Sequence, residues 1–223
     1  ANVSIENCVT EVARHYMGYC SEDDALFNGS YMRAYAVPVH KMAHPLIKCL
    51  VLDADRVLWD GIVGEVGAEK VKIGANILDF QETVLELKNK GIILAIASKN
   101  DLADLKAVFE RRQNMVLKLN DFSVIKADWS DKAENIQQIA AELNIGLDSI
   151  VFIDDSPHER LLMRRELPQV YTPEVPADMG LYREFLKALD TEYIPAGQTS
   201  EDLNRSAMYE IKRQAEKFIG SAQ

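Results

Sequence analysis

Residues 46–61 read Leu46-Ile47-Lys48-Cys49-Leu50-Val51-Leu52-Asp53-Ala54-Asp55-Arg56-Val57-Leu58-Trp59-Asp60-Gly61. The apolar run that opens the stretch is too short to cross a membrane. Its near-continuous hydrophobicity is that of a strand covered on both faces in a parallel sheet. It stops at two carboxylates. Side chains i and i+2 of a strand leave on the same side, so Asp53 and Asp55 emerge together at the carboxyl end of the strand. Open α/β sheets place their ligands at that end. Two acids so close repel each other unless a cation or a proton lies between them, and the hard, oxygen-seeking Mg²⁺ suits them. Asp residues also end strands ahead of ordinary turns, so the rest of the chain has to decide.

Downstream, strand and helix patterns alternate. The spacing of Val84, Leu85 and Leu87 predicts a helix over 80–90, stopped by Gly91. Ile-Ile-Leu-Ala-Ile-Ala (92–97) is a second buried strand, ending in Ser98-Lys99-Asn100. A hydroxyl at such an end can donate to a phosphoryl oxygen. Asp101 or Asn100 can cap a helix over 102–111. A third strand is expected over 115–119, followed by a turn at Asp121-Phe122. Ser130 or Asp131 can cap a helix carrying Ile136, Ile139 and Leu143, with Lys132 in its first turn. The helix dipole disfavours a cation there, which points to a use for Lys132 beyond solvation. Ile150 to Ile153 is a fourth buried strand and ends in Asp154-Asp155-Ser156-Pro157, where Pro157 can open the next helix. Two separate strands therefore bring acids to the same sheet end. The alternation predicts an α/β fold with a parallel sheet flanked by helices.

The wording of these segments resembles a known family. Asp-Ala-Asp-Arg-Val (53–57) fits the D-x-D-x-T/V signature of the haloacid dehalogenase (HAD) superfamily of phosphoryl-transfer enzymes. Residues 48–67, Ala-Ser-Lys-Asn-Asp (97–101), Lys132 with Asn135 and Ile136, and Ile-Asp-Asp-Ser-Pro (153–157) look like its FkbH-like branch, which loads glyceryl units in polyketide assembly. That branch usually reads D-L-D-N-T-L-W-G-G at the first motif, and this chain departs from it at Ala54, Arg56, Val57 and Asp60. The resemblance implies a three-layer Rossmann-like HAD fold with a central, mainly parallel sheet. Gly61 to Gly67 would be a flap, a mobile turn and hairpin over the site. The gaps between motifs leave no room for a cap domain, so the site should lie open at the sheet edge.

The resemblance also implies roles. Asp53 is the nucleophile and a metal ligand. Asp55 is the general acid/base and offers its backbone carbonyl to the metal. Ser98 and Lys132 hold phosphoryl oxygens. Asp155 ligates Mg²⁺ directly, with Asp154 beside it. Trp59, Lys99 and Asn100 are candidate substrate contacts, with core packing the alternative for Trp59 and a solvated surface position for Lys99. The activity implied is transfer of a glyceryl group from D-1,3-bisphosphoglycerate, with loss of phosphate, to the phosphopantetheine thiol of an acyl carrier protein. The alternative is a capless Mg²⁺-dependent phosphatase acting on a phosphoprotein or a small phosphate ester. A third reading is a docking domain that kept the motifs but lost activity. Cys49 lies four strand residues before Asp53, roughly 13 Å at the strand rise. It therefore reads as a buried structural cysteine, and direct transfer to the carrier thiol is the simpler route.

Composition bounds the rest. Net charge is −10 over 223 residues, which argues against nonspecific nucleic-acid binding. Cys8, Cys20 and Cys49 are odd in number and show no C-x-x-C, so a reducing cytoplasm is expected rather than a disulfide framework or a zinc site. No signal peptide or membrane-length apolar run is visible. The chain opens at Ala1, as a processed protein or a domain of a larger synthase would. Three parts are expected: a helical and irregular extension over 1–45, a catalytic core over 46–198, and a C-terminal helix over 199–223 packed on it. The extension carries Ile5, Val9, Val12 and Tyr16 at helical spacing, and His40 and His44 without partner spacing. Thr199 and Asp202 resemble a capping box at the start of the last helix. Between these, 170–176 reads as a short strand with an exit loop, and 180–189 as a helix.

Overall fold

A computed structural model describes residues 47–193, with side chains described as far as Leu189. The expectations for 1–45 and 199–223 lie outside the described residues. The sheet is built from β1 (Cys49–Leu52), β2 (Ile93–Ser98), β3 (Val124–Ala127) and β4 (Ile150–Ile153). The order is β3-β2-β1-β4, and every pair is parallel. In register, Leu52 of β1 lies between Ile96 of β2 and Ile153 of β4. The chain thus winds outward from β1 to β3 and then returns to place β4 on the other side of β1. The boundary between β1 and β4 is a topological switch point, where the crossover connections diverge and leave a crevice at the strands' carboxyl ends.

Helices cover both faces. After a single helical turn, α1 (Val63–Val66), come α2 (Ala75–Asn89), α3 (Leu102–Arg111), α4 (Lys132–Leu143), α5 (Pro157–Glu166) and α6 (Tyr182–Tyr193). Strand alternation sorts the core into two layers. Leu50, Leu52, Leu94, Ile96, Val151 and Ile153 pack with Phe80, Val84, Leu105, Val108 and Phe109, and with Leu186 of α6. Cys49, Val51, Ile93, Ala95, Ile150 and Phe152 pack with Ile136, Ile139 and Leu143 of α4 and Met163 of α5. β1 is buried along its whole length, as a strand covered on both faces must be. No helix of the described residues is long and apolar enough to cross a membrane.

Several local expectations change. The third strand is Val124–Ala127 rather than 115–119. The amides of Val116 and Leu117 donate to the buried Oε1 of Gln81, at 2.9 and 3.1 Å, instead of to a strand. Pairing with β2 starts only where Ser123 N donates to Leu94 O at 2.8 Å. The helix expected over 80–90 begins at Ala75, behind Gly74, which offers no side-chain cap and so left no start signal in the sequence. The flap is not a full hairpin. Asp60 and Lys72 form one antiparallel bridge, and the chain between them holds the turn α1. The strand expected over 170–176 shrinks to one parallel bridge between Tyr171 and Val151. The helix expected from 180 follows a 3₁₀ turn, Met179–Leu181, whose Gly180 amide is capped by Asp178.

Candidate active site

Asp53 and Asp154 each follow directly on a buried strand, β1 and β4, at the switch point. By alternation both continue the side of Val51 and Phe152, the side that α4 covers. The first residue of α4, Lys132, is therefore delivered between them. Its Nζ lies 2.6 Å from Asp154 Oδ2 and 3.0 Å from Asp53 Oδ1. It also lies 5.9 Å from the Phe152 ring centroid. Lys132 is 5% exposed and Asp154 0%, so these charges meet away from bulk water.

The electrostatics follow from crowding. Burial works against the Lys132 ammonium, but Asp53 and Asp154 outweigh it and hold the lysine well above its ordinary pKa. Asp154 is also pushed up, to about 6. Burial is the main cause and the charge of Asp53 adds to it, while Lys132 and the Ser156 amide oppose. Asp155 is raised by burial and by Asp53, with Arg56 and Lys132 opposing. One lysine does not neutralise three neighbouring carboxylates, so both members of the Lys132–Asp154 pair move upward.

That excess of negative charge is what a dication would relieve. Carboxylate oxygens of Asp53, Asp154 and Asp155 lie within 4.8 Å of one another. An octahedral Mg²⁺ with bonds of about 2.1 Å sets opposite oxygens about 4.2 Å apart, a spacing that small side-chain rotations reach. Asp53 Oδ1 is also a buried oxygen without a hydrogen-bond donor. Lys132 approaches it at ion-pair distance but without hydrogen-bond alignment. By contrast, Asp154 spends Oδ2 on Lys132 and Oδ1 on the Ser156 amide, at 2.9 Å. The donor set thus fits Mg²⁺ through Asp53 and the half-buried Asp155, with Asp154 beside them.

Asp55 is arranged differently. The chain turns sharply after Ala54, and the Asp55 carboxylate is held by three donors. Trp59 Nε1 (2.7 Å) and the Val63 amide (3.0 Å) reach Oδ1, and Asn100 Nδ2 (2.9 Å) reaches Oδ2. Asn100 Nδ2 also lies 3.1 Å from Ser98 Oγ, which links the β1 and β2 ends of the site. Of the two places weighed for Trp59, the structure gives it the core. It is 0% exposed, packs edge-on against Phe109 with centroids 5.9 Å apart, and reaches the site only through Asp55. Lys99 pairs with Glu159, in the first turn of α5, at 2.9 Å. Cys49 sits at the far end of β1, fully buried, with its thiol pushed up by burial.

Two residues without a role in the sequence reading shape this site. Arg160, 5% exposed, donates to the carbonyls of both Asp154 and Asp155 at 2.8 Å and to Glu174 at 2.9 Å. It ties the acidic loop to the start of α5. The sequence offered only an arginine one turn after a helix-opening proline, and its burial shows only in the structure. Arg56 follows Asp55 in the left-handed region, at φ 58°, and is exposed.

No protein-family model matches this sequence, and no curated relative does. Among solved structures, it is similar to the N-terminal part of the protein BF1531 from Bacteroides fragilis, which contains a phosphatase domain and is complexed with Mg. That likeness has 34% identity and a TM-score of 0.67, and it covers 87% of this chain. This chain spans 60% of that one. A Legionella pneumophila protein described as a HAD superfamily (subfamily III A) hydrolase matches at 18% identity and a TM-score of 0.50, over 81% of this chain and 99% of its own. The 3-deoxy-D-manno-octulosonate 8-phosphate phosphatase of Moraxella catarrhalis, in complex with magnesium and phosphate ions, matches at 21% identity and a TM-score of 0.47, over 79% of this chain and 94% of its own. The fold is thus α/β and Rossmann-like, a parallel four-stranded sheet flanked by helices, and it matches that of the B. fragilis structure.

Proposed function

We propose that this chain is a Mg²⁺-dependent phosphoryl-transfer enzyme of the HAD superfamily that uses an aspartate nucleophile. The observation that carries this reading is the meeting of Asp53, Asp154 and Asp155 around Lys132 at the switch point of the sheet. Likeness to a phosphatase domain complexed with Mg supports it. Asp53 and Asp155 would hold Mg²⁺, which would supply positive charge for a phosphoryl anion approaching these carboxylates. Asp53 attacks phosphorus, and an aspartyl-phosphate forms as the bond to the leaving oxygen breaks. Asp55, presented by Trp59, Val63 and Asn100, gives a proton to that oxygen and then takes one from the water that hydrolyses the aspartyl-phosphate. Ser98 and Lys132 hold the phosphoryl oxygens.

Within that chemistry, the FkbH-like wording of residues 48–67 and 97–101 favours D-1,3-bisphosphoglycerate as the phosphorylated substrate. The carrier thiol attacks the acyl carbonyl and displaces phosphate, and the remaining phosphoryl group leaves through Asp53. With its thiol buried and far from the acids, Cys49 does not suit a covalent glyceryl relay, so transfer goes directly to the acyl carrier protein. The second reading, a capless phosphatase, is favoured by the phosphatase domain of the similar B. fragilis protein.

Intact-mass analysis of a pantetheinylated carrier protein, incubated with the full chain, Mg²⁺ and D-1,3-bisphosphoglycerate, separates the two. An Asp53→Asn variant is the control. A glyceryl adduct with Asp53-dependent phosphate release is the expected result. Asp53-dependent phosphate release without an adduct leaves the phosphatase. Absence of both the adduct and phosphate release overturns the proposal.

A further inference from the structure

Four lysine and arginine side chains belong to the segments that build the site: Arg56, Lys99, Lys132 and Arg160. Three are already committed. Lys132 lies between Asp53 and Asp154, Lys99 pairs with Glu159, and Arg160 holds two backbone carbonyls and Glu174. Arg56 has no hydrogen-bond or ion-pair partner among the described residues, and it is exposed directly beside Asp55. Its positive charge is felt at Asp155, where it opposes the effect of burial.

The backbone at Arg56 is unusual as well. A φ of 58° puts it in the left-handed region, where a long L side chain is disfavoured and Asn or Gly is at ease. Strain of this kind persists where the surroundings hold it, and it gathers at functional sites. Here it places an exposed guanidinium in the turn that follows β1, three residues after Asp53 and near enough to Asp155 for its charge to act there. On the phosphoryl-transfer reading, Ser98, Lys132 and a metal bound by Asp53 and Asp155 would meet the phosphoryl group that Asp53 attacks. A free arginine at the rim suits a different anion, one carried by the rest of the substrate. Guanidinium binds carboxylate and phosphate through paired hydrogen bonds.

We propose that Arg56 is a specificity-determining residue that binds a second anionic group of the substrate, so that the enzyme selects phosphate esters bearing a carboxylate or a second phosphate near the scissile phosphoryl group. This rests on the phosphoryl-transfer reading above and narrows its substrate class. It makes no use of the carrier protein.

The test compares 3-phosphoglycerate with glycerol 3-phosphate, which differ in a carboxylate against a neutral hydroxymethyl group. Steady-state phosphate release is measured with Mg²⁺ for the full chain, Arg56→Asn and Arg56→Lys. Asn is comfortable at positive φ, so the substitution relieves the backbone rather than straining it. The expected result is a wild-type preference for 3-phosphoglycerate. Arg56→Asn should lower kcat/KM for that ester about 10–100-fold through KM, the range for a lost charge-assisted hydrogen bond. The loss for glycerol 3-phosphate should be at most a few fold, and Arg56→Lys should recover part of the preference. An equal effect of Arg56→Asn on both esters, or none on either, overturns the inference while leaving phosphoryl transfer in place. Absence of turnover of either ester by the wild-type chain overturns the inference, while Asp53-dependent phosphate release from D-1,3-bisphosphoglycerate decides the phosphoryl-transfer reading separately.

Discussion

Replacing Lys132 with Met tests the electrostatic logic of the site most directly. Lys132 is the cation between two buried carboxylates, 5% exposed, with Asp154 at 0% and Asp53 at 6%. Met preserves much of the stem volume but removes the charge. Breaking a buried pair from one side leaves an uncompensated charge and costs about 3–5 kcal/mol. For a domain of this size each kcal/mol moves Tm by about 2–4 °C, so the metal-free variant should melt about 6–20 °C below wild type at pH 7.5. Asp154 also gives the loss a pH dependence. Its folded pKa is raised, to about 6 from an ordinary 3.8, so the folded state binds the proton more tightly than the unfolded one. Its contribution is most favourable below pH 3.8 and is lost as pH rises through 6. By then it costs about 3 kcal/mol. Without Lys132 this carboxyl rises further, so the penalty at pH 7.5 grows, while at pH 5.5 protonation removes much of it. Melting curves of both proteins in EDTA at the two pH values should therefore show a gap that narrows on acidification. A gap under about 2 °C at pH 7.5, or one equal at both pH values, would refute the reasoning.

Mg²⁺ at about a hundredfold excess over its Kd should stabilise the wild-type chain by about 2.7 kcal/mol, and Asp155→Asn should lose most of that gain in a thermal-shift titration. Trp59→Phe keeps an aromatic ring in the core beside Phe109 but deletes the 2.7 Å hydrogen bond to Asp55. A stability loss of about 1 kcal/mol is expected, with a kcat reduction of about tenfold and little change in KM, read from melting curves and steady-state kinetics. Arg160→Lys cannot hold the carbonyls of Asp154 and Asp155 through one nitrogen and Glu174 through another, as the guanidinium fork does. It should weaken Mg²⁺ binding several-fold in a calorimetric titration, even though the substitution keeps the charge.

The strand-ending acids were legible because they need only local information. A buried run that stops at carboxylates declares both its strand and its ligand end, and Asp53, Asp154 and Asp155 follow from that. Lys132 announced itself by standing where a helix dipole disfavours a cation. Local pattern failed where the decisive partner is remote. The apolar run 115–119 looks like a strand, but Gln81, more than thirty residues earlier, takes two of its amides. Asp55 likewise has one of its two carboxylate oxygens held by Asn100, 45 positions away, beside the nearer Trp59 and Val63 on the other.

By itself the sequence determined the alternation of strands and helices, the parallel sheet and the acids at its carboxyl end. These depend on side-chain period and on the residue type at each strand end, both properties of short stretches. Only the tertiary structure decided which of the described cations near the site stay unpaired, where Asp55 points, and that Arg160 holds the acidic loop by its carbonyls. Those outcomes hang on hydrogen bonds and ion pairs between segments that no local pattern pairs, and they exist only once β1 and β4 lie side by side.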